Sequence, residues 1–201
     1  MLFRSEVIAG YLLTGEVRNA VNLPFLDAKT YEQVKPYLVL GEKIGRLLSQ
    51  LSPAQVDRIH ITYGGKAKEL PNIDPITRAV LRGFLASGAI KDVNNVNVRA
   101  AANAQGINVE EKRSDEPVTF NEWLHVQIFS GEKKVVSAGG TFFGSPNNPR
   151  IVRLFSRHVE ITPDGVLLML NNKDRPGIVG YLGTLLRSEE HTSELQSRGL
   201  I

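Results

Sequence analysis

Trp123-Leu124-His125-Val126-Gln127-Ile128-Phe129, followed by Ser130-Gly131-Glu132-Lys133, is the stretch that decides the fold class. The first seven residues read as a β-strand, the next four as a turn, and a return strand is expected from Lys134 onward. Working outward, Ile107 to Lys112, Ile151 to Phe155 and Val159 to Ile161 read as further strands. Ile59, Ile61 and Tyr63 alternate with His60 and Thr62, which predicts a half-buried strand closed by Gly64-Gly65. Toward the N-terminus the period changes. Leu40, Ile44, Leu47, Leu48 and Leu51 predict a helix over Tyr31 to Leu51, with Pro36 near its first turn. Ile76, Val80, Leu81, Phe84 and Leu85 mark a second amphipathic helix, and Asn97 to Gln105 an Ala-rich third that ends at Gly106. Glu6 to Leu13 reads as the end of another helix, with Gly15 as its stop. Helices grouped early and hairpins late predict an α+β arrangement rather than a doubly wound one.

Composition excludes several function classes. With 201 residues, 42% hydrophobic and 22% charged, the chain has room for one or two small domains. A net charge of +3 with no block of basic residues does not indicate nucleic acid. No cysteine occurs, so disulfides, thiolate nucleophiles and Cys-based zinc or iron–sulfur sites are absent from this chain, and a reducing cytoplasm fits. No apolar run approaches a membrane span. There is no G-x-G-x-x-G after a strand, no P-loop and no H-E-x-x-H. His60, His125, His158 and His191 are scattered, and the first two are expected at exposed or hydrogen-bonded strand positions. Glu110-Glu111 and Asp115-Glu116 read as a solvated face. No catalytic constellation can be assembled, so no catalytic residue, cofactor site or metal site is assigned.

One basic cluster stands out. Arg150 precedes the strand Ile151 to Phe155, Arg153 lies within it, and Arg157 with His158 follows it. Turns that bring Arg150 and Arg157 to one mouth would let two guanidiniums hold a phosphate or carboxylate by forked hydrogen bonds. The competing reading makes them solvated strand-edge residues.

Pro163-Asp164-Gly165 is a turn signal leading into a strand over Val166 to Leu170. After it, Asp174 is expected as an N-cap, Arg175 and Pro176 open a helix, and Ile178, Leu182 and Leu185 form its apolar face. This strand, Gly-containing turn and helix start resemble the opening of an ACT domain, a small amino-acid-binding module. At the two ends, residues 1–5 and 187–201 resemble translated sequencing adapter and are set aside from fold reasoning.

Taken in order, the segments resemble the C-terminal part of the long form of D-3-phosphoglycerate dehydrogenase. Tyr11-Leu12-Leu13-Thr14-Gly15 and Asn19-Ala20-Val21-Asn22, within residues 6–30, look like the end of that enzyme's catalytic portion. Residues 31–162, with Asn97 and the Gly140-Thr141 strand entry, look like its allosteric substrate-binding domain. Residues 163–186 look like the start of its ACT domain. The resemblance implies an α+β intervening domain with a mixed sheet and packed helices, then a truncated ferredoxin-like βαββαβ module. It also implies a cytoplasmic, homo-oligomeric, NAD-dependent parent enzyme that converts 3-phosphoglycerate to 3-phosphohydroxypyruvate in L-serine synthesis, with no nucleic-acid or membrane partner. The nicotinamide-binding domain and catalytic residues of that parent would lie upstream. It further implies an anionic effector at Arg150, Arg157 and His158, although a third basic position of some members falls at Thr162. Serine would be held at Asn172, Asp174 and Gly177, where some members carry His and Asn at the first two positions. Two alternatives stay open: the regulatory part of an iron–sulfur L-serine dehydratase, whose cluster needs cysteines from elsewhere, and a free-standing amino-acid sensor.

Overall fold

The structure, a computed structural model, describes residues 8–9, 13, 28–53, 55–86, 92–116, 122–169, 176–185 and 187. The chain divides into two compact units, Met1–Asp164 and Gly165–Ile201. The first holds α1 (Ala28–Leu51), β1 (Arg58–Gly64), α2 (Gly65–Lys68), α3 (Asp74–Leu85), α4 (Val98–Ala104), β2 (Asn108–Arg113), β3 (Glu122–Ser130), β4 (Lys133–Phe142), β5 (Pro149–Leu154) and β6 (Arg157–Ile161).

Helix α1 starts at Ala28, so Pro36 lies in its interior and not near its first turn as expected. Having no N–H, Pro36 cannot donate to the carbonyl of Glu32, a cost the buried face has to outweigh. That face consists of Val34, Tyr37, Leu40, Ile44 and Leu48, all inside the core. It packs on α3, whose Ile76, Val80, Leu81, Phe84 and Leu85 form the predicted apolar stripe. Burying five such side chains on each helix, at about 1.5–3 kcal/mol apiece, far exceeds the local penalty of one proline. Helix α4 ends at Gly106, whose φ of +73° is the left-handed geometry that closes a helix.

The strands form a single mixed sheet in the order β2-β1-β3-β4-β5-β6. β1 runs parallel to β2 and antiparallel to β3, and α2, α3 and α4 fill the crossover from β1 to β2. The remaining pairs are antiparallel hairpins, as the late hairpin signals predict. Ile59, Ile61, Tyr63, Leu124, Val126, Ile128, Ala138, Ile151 and Leu154 turn toward the helices and form the core.

One local expectation fails outright: β1 is buried on both faces toward its C-terminal end, because the Trp123 indole lies against Gly64 and Thr62 is covered as well. Glu111 is exposed, as expected, but it is not free there. It accepts hydrogen bonds from Thr77 Oγ1 and Arg99 Nη2, both at 2.5 Å. Arg99 Nε reaches Asp74 at 2.7 Å, and Thr77 Oγ1 lies 2.7 Å from the Tyr63 hydroxyl. This network ties α3 and α4 to β1 and β2. His125, expected at an exposed or hydrogen-bonded position, is instead buried and its Nε2 has no hydrogen-bond partner among the described residues.

In the second unit, Val166 to Met169 are exposed and form no strand, against the expectation of a buried one, since no described residue pairs with them. A strand without a ladder partner leaves its backbone groups to water. Residues 178–185 are helical, and the Tyr181 N–H donates to the Gly177 carbonyl at 3.0 Å. Gly177 has φ +86°, so the helix begins after it, and Pro176 belongs to the preceding turn instead of opening the helix. The expectations for Asp174 as N-cap, for Asn172, and for residues 1–5, 14–24 and 188–201 lie outside the described residues.

Candidate anion-binding site on the sheet

Two adjacent glycines define the faces. A Cβ on Gly140 would press on Leu40 Cδ1 and Ile44 Cδ1, on the helix side. A Cβ on Gly139 would stand 3.3 Å from Arg153 Cβ and 3.5 Å from both His125 Cδ2 and Trp123 Nε1, on the opposite side. The face away from the helices therefore carries Trp123 and His125 from β3, Gly139 from β4 and Arg153 from β5, with Trp123, His125 and Gly139 buried.

Register places the basic residues. Thr141 opposes Arg150, Gly140 opposes Ile151, and Gly139 opposes Arg153, so Val152 is the extra residue of a bulge. In a regular strand residues three apart point to opposite faces; the bulge puts Arg150 and Arg153 on the same one. On β6, His158 opposes Arg153 and Arg157 opposes Leu154. His158 thus shares the face of Arg153, whereas Arg157 has the parity of the core residue Leu154. The expected convergence of Arg150 and Arg157 at one mouth does not occur, because they sit at opposite ends of the β5–β6 hairpin and on opposite faces. Arg153 stands in the place that reading gave to Arg157.

The hairpin is pinned by its neighbour. Phe155 opens the two-residue turn with φ +54°, an unusual geometry for a bulky side chain. Ser137 of β4 holds it from both sides: the Phe155 N–H donates to the Ser137 carbonyl at 2.7 Å, and Ser137 Oγ donates to the Phe155 carbonyl at 3.0 Å. At the other end, Arg150 Nη1 donates to Asn148 Oδ1 at 2.6 Å and to the Pro149 carbonyl at 3.1 Å. Glu160 Oε1 lies 3.9 Å from Arg150 Nε, and that carboxylate is mostly exposed. A contact of this kind holds the guanidinium weakly and leaves it available to a stronger anion.

Trp123 organises the centre of the face. Its ring stacks on His125 with centroids 5.2 Å apart, and the Arg153 guanidinium lies 5.8 Å above the indole. Burial, then the positive charges of Arg153, Lys134 and His60, pushes the His125 imidazole down to about 4, so it stays neutral near pH 7. Sequence reasoning counted Arg153 in the basic cluster without giving it a contact, and gave Trp123 no role. The available signal was glycine at 64 and 139, which leaves room for an indole on β3 between two bare strand positions. No metal-binding group of His, Asp or Glu occurs among the described residues. No helix among them is long and apolar enough to cross a membrane.

Residues 33–155 match the D-3-phosphoglycerate dehydrogenase intervening domain. The chain belongs to the D-3-phosphoglycerate dehydrogenase intervening-domain family. It is 32% identical to a D-3-phosphoglycerate dehydrogenase of Archaeoglobus fulgidus over 84% of this chain and 31% of that protein. A Synechocystis relative of the same name is 32% identical over 92% of this chain and 33% of its own length. A Bacillus subtilis one is 30% identical over 90% and 34%. The chain therefore spans about a third of the length of the phosphoglycerate dehydrogenases it matches. The intervening domain is the part that the described sheet and helices build, and the β5 bulge and Gly139 notch lie within the matched residues.

Proposed function

We propose that this chain is a regulatory part of an NAD-dependent D-3-phosphoglycerate dehydrogenase and binds an anionic effector through basic residues of β5 and β6, on the face of its sheet away from the helices. The observation that carries the reading is the clustering of Arg150, Arg153 and His158 on that face, with Arg157 beside His158 at the turn. Guanidiniums suit phosphate and carboxylate oxygens, and a site on a rigid hairpin needs little reordering to grip them. Effector binding then biases the parent homo-oligomer between conformations by being tighter in one of them. NAD would be held and used by the remaining two-thirds of the parent in the cytoplasm. This chain carries no Gly-rich strand-to-helix turn that suits a dinucleotide, so its own contribution is binding and not hydride transfer.

A second ligand, L-serine, belongs to the 163–186 region in this proposal. Gly177, with φ +86° and nothing within 4 Å of its missing Cβ, leaves the helix start open to close approach. Asn172 and Asp174 would supply the polar contacts.

Calorimetric titration of the purified chain with inorganic phosphate and 3-phosphohydroxypyruvate tests the reading. Arg150→Ala and His158→Ala are expected to weaken binding at least fivefold, and Arg157→Ala less. Unchanged affinity in the first two variants would return these residues to the role of solvated edge cations. NAD-dependent turnover by the purified chain would contradict a purely regulatory part.

A further inference from the structure

We propose that β2 is the seam along which two copies of this chain join, edge to edge and antiparallel, with Glu110 of each copy opposite Lys112 of the other.

β2 closes one end of the sheet, and no described strand lies beyond it. The parallel ladder with β1 fixes which of its backbone groups remain free. The Asn108 N–H donates to the Asp57 carbonyl at 2.7 Å and the Ser114 N–H to the Tyr63 carbonyl at 2.8 Å, so the even-numbered residues bond toward β1. Backbone groups alternate along a strand, and those of Val109, Glu111 and Arg113 therefore point out from the edge of the sheet. β2 keeps an unbroken register with β1 and is exposed from Glu110 to Arg113. At the opposite edge, the β5–β6 ladder shifts register between Ile151 and Arg153, a distortion that blunts an edge against pairing.

A two-fold pairing in one continuous sheet must set free backbone groups opposite free backbone groups, and each face against the same face. Centring it on Glu111 meets both conditions. Glu111 then faces its counterpart, Val109 faces Arg113, and about six backbone hydrogen bonds form. Glu110 and Lys112 fall at the narrow positions, with Cα atoms about 4.5 Å apart, as opposite-charge pairs on the face away from the helices. Centring one residue either way would set Glu110 against Glu110 or Lys112 against Lys112, and like charges directly opposite are unfavourable.

The side chains are disposed for this register. Glu110 has only loose contacts, Asn108 Nδ2 at 3.4 Å and Arg58 Nη1 at 3.9 Å, and Lys112 pairs with no carboxylate among the described residues. On the helix side, the Glu111 carboxylate is drawn back to Thr77 and Arg99, so its charge is compensated within its own copy. Arg113 likewise turns back to the carbonyls of Lys68 and Leu70.

Sedimentation equilibrium on the full chain, free of phosphate and phosphorylated ligands, reads the association. The wild type is expected to pass from monomer to dimer as its concentration rises. Glu110→Lys and Lys112→Glu each turn both complementary pairs into like-charge pairs, and each should raise the dissociation constant about tenfold or more. Mixed in equal amounts, the two variants again set a lysine opposite a glutamate at both positions, and dimer should return. If either single variant fails to fold by circular dichroism, the double variant Glu110→Lys/Lys112→Glu carries the test, because it should dimerise like the wild type. A wild-type dissociation constant weaker than about 1 mM overturns the seam. So does a dimer indifferent to both single substitutions, or a mixture or double variant that stays monomeric. None of these outcomes bears on the anion titrations, which read Arg150 and His158.

Discussion

Gly45 and Gly83 meet where α1 crosses α3, each lying against the other helix's backbone. A Cβ on Gly45 would stand 2.9 Å from the Phe84 nitrogen and closer still to the Val80 carbonyl oxygen. A Cβ on Gly83 would stand 2.9 Å from the Glu42 carbonyl carbon, again with the carbonyl oxygen nearer. The obstacles are backbone atoms, so no side-chain rotation relieves them. Gly45→Ala and Gly83→Ala are each expected to cost about 1–3 kcal/mol or more, against the small gain alanine brings to a helix. Urea denaturation of both variants checks this. A midpoint equal to that of the wild type would mean the helices separate at no cost.

Thr77 joins the buried Tyr63 hydroxyl to the Glu111 carboxylate at the exposed face of β2. Thr77→Val keeps the shape and removes both hydrogen bonds, with an expected loss of about 1–3 kcal/mol in urea unfolding. The same network makes a pH prediction through Asp74. Burial alone would raise its carboxyl, but hydrogen bonds from Arg78 and Arg99, and their charges, outweigh it and hold the group below the usual range. A depressed folded value means this contribution is complete above the ordinary carboxylate value of about 3.9 and declines as the pH falls below it. Asp74→Asn should therefore flatten the acid limb of stability against pH. An acid limb as steep as that of the wild type would show that other carboxylates dominate.

His125 predicts a second pH dependence in a different window. Its value is about 6.5 in an unfolded chain and about 4 in the folded one, so the unfolded state binds more protons between them. Stability is then full above about pH 6.5 and falls as the pH drops toward 4, by a total of order 3 kcal/mol. The imidazole resonances of His125 should show no titration between pH 8 and 5 in NMR spectra. His125→Leu should remove the decline over that window. A midpoint near 6.5 in the NMR titration would place the ring in water.

Phe155 occupies the left-handed region at a two-residue turn. Asparagine adopts that conformation more readily, and the Phe155 side chain is exposed, so little packing is lost on replacing it. Phe155→Asn is expected to raise stability by about 1 kcal/mol in thermal or urea unfolding. A clear destabilisation would show that the ring packs in solution.

The sequence by itself determined the elements whose signals are local. The Leu40, Ile44 and Leu48 face of α1, the Ile76 to Leu85 stripe, the Gly106 stop and the Ser130–Lys133 turn each depend on residues near one another in the chain, and each stands where periodicity places it. The α+β class followed from their order. Tertiary structure alone decided the rest. The parity of Arg150 and Arg153 depends on one bulged residue, Val152, and a shift of one position reverses every side chain beyond it. Periodicity cannot register such a bulge, so it gave no sign that Arg150 shares a face with Arg153 and not with Arg157. The burial of His125 depends on what packs around it, and a polar residue in a strand gives no local sign of that. The exposed 166–169 segment makes the same point from the other side: apolar residues favour a strand, but only pairing with another strand makes one.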